Sequence, residues 1–282
     1  MRKLEKEDYI EPRCPLTPPN CACGDPHHHH HHHQPPEKRL DLAKIISECD
    51  RLFNAEKTAE LGEYLRSCRA EAQQLGDKSS ELSIVNEMLG HYRMAGDAER
   101  GLPAIDDALA LLRELGAAQT VSGATIKLNA ATALKAFGKT ADALKLYDDV
   151  FRIYGRELDP ADWRFAGLLN NMAAAYADAG DLPRAEAYYR QALSVLGKTD
   201  AKMDAAVTHV NLAQLYFQAD PDDARIGAEL DAAMAIFDAP DAVYDTYYAH
   251  TCRKCASAFG FFGRAEDENE LNGRADALYA GD

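Results

Sequence analysis

The feature that most constrains the fold of this chain is a repeat of about 42 residues, a period in the range typical of repeat architectures. The segments that begin at residues 92, 134 and 176 read YRMAGDAERGLPAIDDAL, LKAFGKTADALKLYDDVF and YADAGDLPRAEAYYRQAL, and their turn glycines are Gly96, Gly138 and Gly180. Apolar residues three and four apart in these segments indicate amphipathic helices, and a glycine permits a sharp turn between two of them. A single hairpin cannot cover its own apolar face, so the repeat predicts a stack of helical hairpins.

Small and aromatic residues follow the same spacing as the glycines. Ala143 and Ala185 are separated by the same interval as Gly138 and Gly180, and so are Tyr147 and Tyr189. The alanines allow two helices to approach closely, and the tyrosines fill the space beside them. Two weaker units follow toward the C terminus, and a divergent unit near residues 39–76 supplies two more helices. The sequence therefore predicts an all-α protein of about five helical hairpins.

The segment NNMAAAYADAGDLPRAEAYYRQAL, residues 170–193, closely resembles the tetratricopeptide-repeat family. The resemblance is to the long form of the repeat, with about 42 rather than about 34 residues, as in kinesin light chains. It covers residues 80–265 well and 39–79 loosely. It implies a right-handed solenoid but no particular activity, because one fold hosts many functions. The chain is also similar to small bacterial proteins of this class that begin with an EPxC segment and end with a CxxCA helix.

The N-terminal part of the chain has a different amino-acid composition from the rest. Seven of the twelve prolines precede residue 37, and dense proline blocks the hydrogen bonding of helices and sheets. We therefore predict a disordered or extended arm at residues 1–37, rich in proline, cysteine and histidine. The helical-repeat domain is expected to occupy residues 38–282.

Charge and hydropathy restrict the possible partners and the location of the protein. The net charge of −15 argues against a general binder of nucleic acid or of anionic membranes, since phosphate contacts need clustered Lys and Arg. No window approaches 18 uninterrupted apolar residues, and the first residues lack the apolar core of a signal peptide. The seven scattered cysteines do not suggest a disulfide framework. We expect a cytoplasmic protein with no membrane or nucleic-acid partner.

Asparagines recur in the predicted first helices of the repeats, at Asn86, Asn129, Asn171 and Asn211. In the long-repeat family, first-helix asparagines line the concave groove and hydrogen-bond the backbone of an extended peptide, so the resemblance implies a peptide-binding ladder here. An amide both donates and accepts, which matches a peptide unit. Possible groove neighbours are Asn170, Gln214 and Lys135. The alternative is that these amides tie neighbouring repeats together.

Cysteines and histidines are candidate metal ligands. The arm contains Cys14, Cys21, Cys23 and the run His27, His28, His29, His30, His31, His32 and His33. Such a flexible tract suits Ni²⁺ or Zn²⁺, although the run could also be a cloning remnant or a neutral repeat expansion. A CxxC pair, Cys252 and Cys255, could complete a four-cysteine zinc site with the arm. Alternatively, both cysteines are small core residues.

Two permissive matches to the nucleotide-binding loop, residues 133–140 and 192–199, each end in GKT. That loop needs a strand before the glycine, whereas here the preceding run is helical. We interpret Gly138 as the turn of a repeat and Gly197 as a helix C-cap. No grouping of acid, base and nucleophile stands out, so the chain is not expected to be an enzyme.

The sequence favours a non-enzymatic adaptor that binds a protein or peptide in a concave groove and requires no cofactor. One alternative is a metal-handling protein whose arm stores or delivers nickel or zinc. Another is a regulator of a partner enzyme, similar to repeat-containing inhibitors of bacterial response regulators. The oligomeric state is left open.

Overall fold

The computed structural model describes residues 39–55 and 57–280, and the predicted arm at residues 1–37 lies outside this range. The described residues form twelve α-helices and no strand. The helices are Leu42–Asn54 (α1), Thr58–Leu75 (α2), Lys78–Ala95 (α3), Ala98–Glu114 (α4), Val121–Ala136 (α5), Thr140–Glu157 (α6), Trp163–Asp178 (α7), Leu182–Leu196 (α8), Lys202–Ala219 (α9), Arg225–Phe237 (α10), Thr246–Phe261 (α11) and Ala265–Tyr279 (α12).

Consecutive helices pair into hairpins, α1 with α2 through α11 with α12. The predicted all-α helical-repeat fold is therefore confirmed, with six hairpins in the described part because the divergent unit near residues 39–76 forms a complete one. The contacts divide the chain into two compact units, the first ending at Glu157 and the second beginning at Leu158. Within each unit, first helices lie side by side, as α3 with α5 and α9 with α11.

The repeated glycines end the first helix of a hairpin in the left-handed conformation. Gly138 has φ 77° and Gly180 has φ 83°, values that a residue with a Cβ adopts only at a cost in free energy. An aspartate directly after several of these glycines starts the next helix. Asp97 accepts a hydrogen bond from the backbone N–H of Arg100, and Asp181 accepts one from Arg184. The glycine and the aspartate together set each tight hairpin turn.

The core of each unit lies between the paired helices. Ala143 and Ala185, the small residues of the repeat, are fully buried, and Tyr147 and Tyr189 are buried beside them. This arrangement explains the regular spacing of these residues, because each occupies the same packing position in successive hairpins. None of the helices within residues 39–55 and 57–280 is long and apolar enough to cross a bilayer.

Candidate functional site

In the first unit, two of the predicted ladder asparagines contact each other. The side-chain amide of Asn129 in α5 donates a hydrogen bond of 2.9 Å to Asn86 Oδ1 in α3. Both side chains are buried, and the bond joins the first helices of neighbouring hairpins. This geometry matches the alternative in which the amides tie repeats together. Lys135, a predicted groove neighbour, is half-buried in the last turn of α5.

In the second unit, the amides divide between two roles. Asn170 Oδ1 in α7 accepts a hydrogen bond of 3.1 Å from Thr208 Oγ1 in α9, which ties these two first helices together. Gln218 Nε2 adds a second tie, at 3.2 Å, to the carbonyl oxygen of Ala177. Asn171 and Asn211, which are half-buried, make no side-chain hydrogen bond with any residue that the structure describes.

Gln214 lies one helical turn after Asn211 in α9 and is exposed. Residues three apart on a helix share a face, so the two amides of α9 point to the same side. Asn171 and Asn211 keep donors and acceptors in reach of solvent, whereas the buried pair of the first unit does not. The second unit therefore carries the part of the predicted ladder that retains hydrogen-bonding capacity.

Cys252 and Cys255 lie in the core of the second unit, with at most 2% of either side chain exposed. Burial raises the pKa of the Cys252 thiol to about 11, so this thiol is protonated at neutral pH. No group of three or more His, Cys, Asp or Glu side chains within residues 39–55 and 57–280 is placed to hold a metal ion. The arm cysteines and the histidine run lie outside these residues, so a site that includes them stays a prediction.

Neither match to the nucleotide-binding loop has the structure of such a loop. Gly138 forms the left-handed turn between α5 and α6, and Gly197 is the C-cap of α8. In both cases an α-helix precedes the glycine, where a phosphate-binding loop requires a strand. The interpretation of both segments as helix ends is confirmed.

A polar network in the second unit was not expected from the sequence. His209 Nδ1 lies 2.6 Å from Glu229 Oε2, and Arg190 donates to both Glu229 Oε1 (2.6 Å) and the Tyr216 hydroxyl (2.8 Å). The Tyr216 hydroxyl in turn donates to Glu186 Oε1. Burial alone would raise the pKa of Glu229, but the contacts with His209 and Arg190 outweigh it and lower that pKa.

This network joins α8, α9 and α10, and it fixes one hairpin on the next. Its members lie at unrelated positions of three helices, so no period in the sequence connects them. Only the buried charge of Glu229 could have been suspected, from its place on the apolar side of α10.

Two segments of the chain match models of one type of repeat. Residues 124–162 and residues 164–226 both match the tetratricopeptide-repeat family. Among solved structures, a kinesin light chain-like protein of Podosopora anserina with nearly identical TPR-like repeats is 18% identical, over 71% of this chain and 95% of that one, with a TM-score of 0.52. BtubC (BKLC) from P. vanneervenii is also 18% identical, over 86% of this chain and 92% of that one, with a TM-score of 0.53.

No curated protein matches this chain in sequence. Because their sequence identity to this chain is so low, the two structural likenesses show the fold alone. They agree with the two matched segments and with the hairpin turns that recur at Gly96, Gly138 and Gly180. Residues 124–162 and 164–226 thus carry tetratricopeptide repeats, and the described residues share the fold of the two solved repeat structures.

Proposed function

We propose that this protein is a non-enzymatic adaptor, and that the first-helix faces of its second unit bind an extended segment of a partner protein. The observation that carries the proposal is the contrast among the repeated asparagines. Asn86 and Asn129 hydrogen-bond to each other, whereas Asn171 and Asn211 keep their amides available. An extended peptide offers backbone N–H and C=O groups that such amides can pair with.

The tetratricopeptide repeat itself supports a role in protein–protein interaction, since stacked hairpins present long continuous surfaces. The four described cysteines, Cys49, Cys68, Cys252 and Cys255, are free and buried, which fits a reducing compartment such as the cytoplasm. In the proposed role the protein needs no cofactor.

A peptide selected from a display library for binding to the full chain tests this proposal. The double variant Asn171→Ala with Asn211→Ala should bind the selected peptide about tenfold or more weakly, since each hydrogen bond contributes roughly 0.5–1.5 kcal/mol net. Gln191→Ala is the matched control, because it removes an exposed amide from α8, the second helix of a hairpin.

Binding is measured by fluorescence anisotropy, with circular dichroism to show that each variant is folded. The proposal is contradicted when the Asn171 and Asn211 variant binds like the wild type. It is also contradicted when Gln191→Ala weakens binding equally, because the amide position would then not matter.

A further inference from the structure

Three phenylalanines form a closed triangle on the second unit. The ring centroids of Phe217 and Phe261 are 5.1 Å apart, those of Phe261 and Phe262 are 5.1 Å apart, and those of Phe217 and Phe262 are 5.6 Å apart. All three pairs meet edge to face, which is a favourable aromatic geometry. The three rings thus pack against one another at the C-terminal ends of α9 and α11.

The triangle is open to solvent. Phe261 is 65% exposed, although it contacts two other rings, and its neighbours Phe217 and Phe262 are half-buried. Large apolar side chains are seldom left exposed as a group without a reason, and such patches mark interaction sites. Aromatic side chains also provide much of the binding energy at protein interfaces.

The triangle lies at the C-terminal end of the helix that carries the amides of Asn211 and Gln214. Gln214 precedes Phe217 by three residues in α9, and Asn211 precedes Gln214 by three. Each step of three residues rises about 4.5 Å along an α-helix and turns about 60° around it, so Gln214 lies between Asn211 and Phe217. A segment that crosses α9 obliquely, from Asn211 over Gln214, thus reaches Phe217 at the end of that helix.

Three carboxylates lie beside the triangle or close to it in sequence. Glu268 lies so close to Gly260, the residue before Phe261, that a Cβ placed on this glycine would collide with the Glu268 carboxylate. Glu266 lies shortly after Phe262 and is exposed, and Asp222 is exposed in the loop that follows α9. None of these three carboxylates forms an ion pair within the described residues, unlike Asp223 and Asp267, which pair with arginines.

The C-terminal ends of α9 and α11 add to this negative potential, because the last carbonyl groups of a helix carry partial negative charge. The whole chain carries a net charge of −15, which also favours a basic partner. An acidic segment would be repelled here, whereas a basic one would be attracted and oriented.

We propose that the phenylalanine triangle anchors a basic segment of a partner protein, with an aliphatic or aromatic side chain on the rings of Phe217, Phe261 and Phe262. Lys or Arg side chains on either side of this anchor pair with the carboxylates of Glu266, Glu268 and Asp222. This inference rests on the proposed adaptor function, since it specifies the chemistry of the segment that the adaptor binds.

A panel of three synthetic peptides tests the proposal on the full chain, with fluorescence anisotropy as the measurement. The first has Leu and Phe at its centre with lysines on both sides. The second replaces the lysines by glutamates, and the third replaces Leu and Phe by serines. We expect only the first to bind, and we expect its affinity to fall about tenfold or more in Phe261→Ser.

Two further variants make the outcome specific. Val243→Ser removes another exposed apolar side chain, 72% exposed, outside the triangle and should leave binding unchanged. The double variant Glu266→Gln with Glu268→Gln keeps the shape of both side chains and should weaken binding of the lysine peptide. Because Phe261 is mostly exposed, its removal should leave the helical circular dichroism intact.

Equal binding of the serine peptide would overturn the proposal, because charge alone would then attract the segment. It is likewise overturned when no peptide of the panel binds, or when sedimentation shows a self-association that Phe261→Ser abolishes. Binding that survives in the Asn171 and Asn211 variant but not in Phe261→Ser supports the anchor while contradicting the amide ladder. Binding that survives in Phe261→Ser but not in the Asn171 and Asn211 variant contradicts the anchor alone.

Discussion

The carboxylate of Asp77 accepts a hydrogen bond of 3.3 Å from the backbone N–H of Leu40, 37 residues earlier in the chain. Asp77 is 1% exposed and also accepts from the backbone N–H and the hydroxyl of Ser80, at 3.2 and 2.6 Å. One buried carboxylate thus caps α3 and fixes the residues just before α1.

Replacement of Asp77 by Ala should therefore lower the stability of the protein by about 1–3 kcal/mol, because both the helix cap and a buried acceptor are lost. Asp97→Ala is the matched control, since Asp97 caps α4 in the same way but from a more exposed position. Asp97→Ala should lower the stability by less than Asp77→Ala, by the ~1 kcal/mol typical of a helix cap. Urea denaturation followed by circular dichroism measures both, and equal losses would contradict the additional role of Asp77.

The stability of the protein should depend on the asparagine pair of the first unit but hardly on Asn171 of the second. Asn129→Ala should destabilise the protein by about 1–3 kcal/mol, because the buried hydrogen bond from Asn129 to Asn86 Oδ1 would be lost. Asn171→Ala should change the stability by less than about 0.5 kcal/mol, as expected for a residue outside such a network. Thermal denaturation of the two single variants distinguishes them. A large loss in Asn171→Ala would show that this amide is structural.

The repeat and its turns were predictable because they depend on local chemistry. Glycine positions, small residues and aromatic residues all recur at one interval, so the hairpins follow from the sequence. The pairing of Asn86 with Asn129 was not predictable as a contact. Asn86 precedes its aromatic residue Tyr92 by six residues rather than five, and one residue rotates a side chain by about 100° around a helix.

The phenylalanine triangle could not be inferred from the sequence either. Phe217 and Phe261 belong to different hairpins, and only the side-by-side placement of α9 and α11 brings their rings together. Exposed aromatic residues also interrupt the apolar pattern of a helix without indicating what they contact. Tertiary contacts of this kind depend on the angle between helices, which the repeat period does not encode.

Replacing each of two glycines in the same hairpin by alanine should change the stability of the protein in opposite directions. Gly138 has φ 77°, so Gly138→Ala forces a side chain into the left-handed region and should cost about 1 kcal/mol. Gly155 lies within α6, and a Cβ there would meet nothing within 4 Å. Gly155→Ala should instead stabilise the protein by roughly 0.5–1 kcal/mol through the higher helix propensity of alanine. Denaturant midpoints measure both, and a stabilising Gly138→Ala would contradict the turn geometry.

His250 should make the stability of the protein depend on pH. Burial, aided by the nearby charge of Lys254, lowers the pKa of His250 to about 4, below the 6.5 of an ordinary histidine. The unfolded chain therefore binds a proton more readily, so this contribution to stability is present above pH 6.5 and is lost as the pH falls toward 4. His250→Gln should flatten that part of the stability curve, measured by urea denaturation at several pH values. An unchanged curve would mean that other groups cause the acid sensitivity.

The last prediction concerns the metal-handling alternative. A four-cysteine zinc site would require Cys252 and Cys255 to lose their protons and leave the core, yet both are buried and burial raises the pKa of Cys252 to about 11. We therefore expect protein that lacks only the run from His27 to His33 to retain less than about one zinc ion per chain after dialysis against a mild chelator, in keeping with buried cysteines that act as core residues. Elemental analysis provides the measurement. One zinc per chain that disappears in Cys14→Ser or Cys252→Ser would reverse this conclusion, because metal binding would then be coupled to a rearrangement of α11.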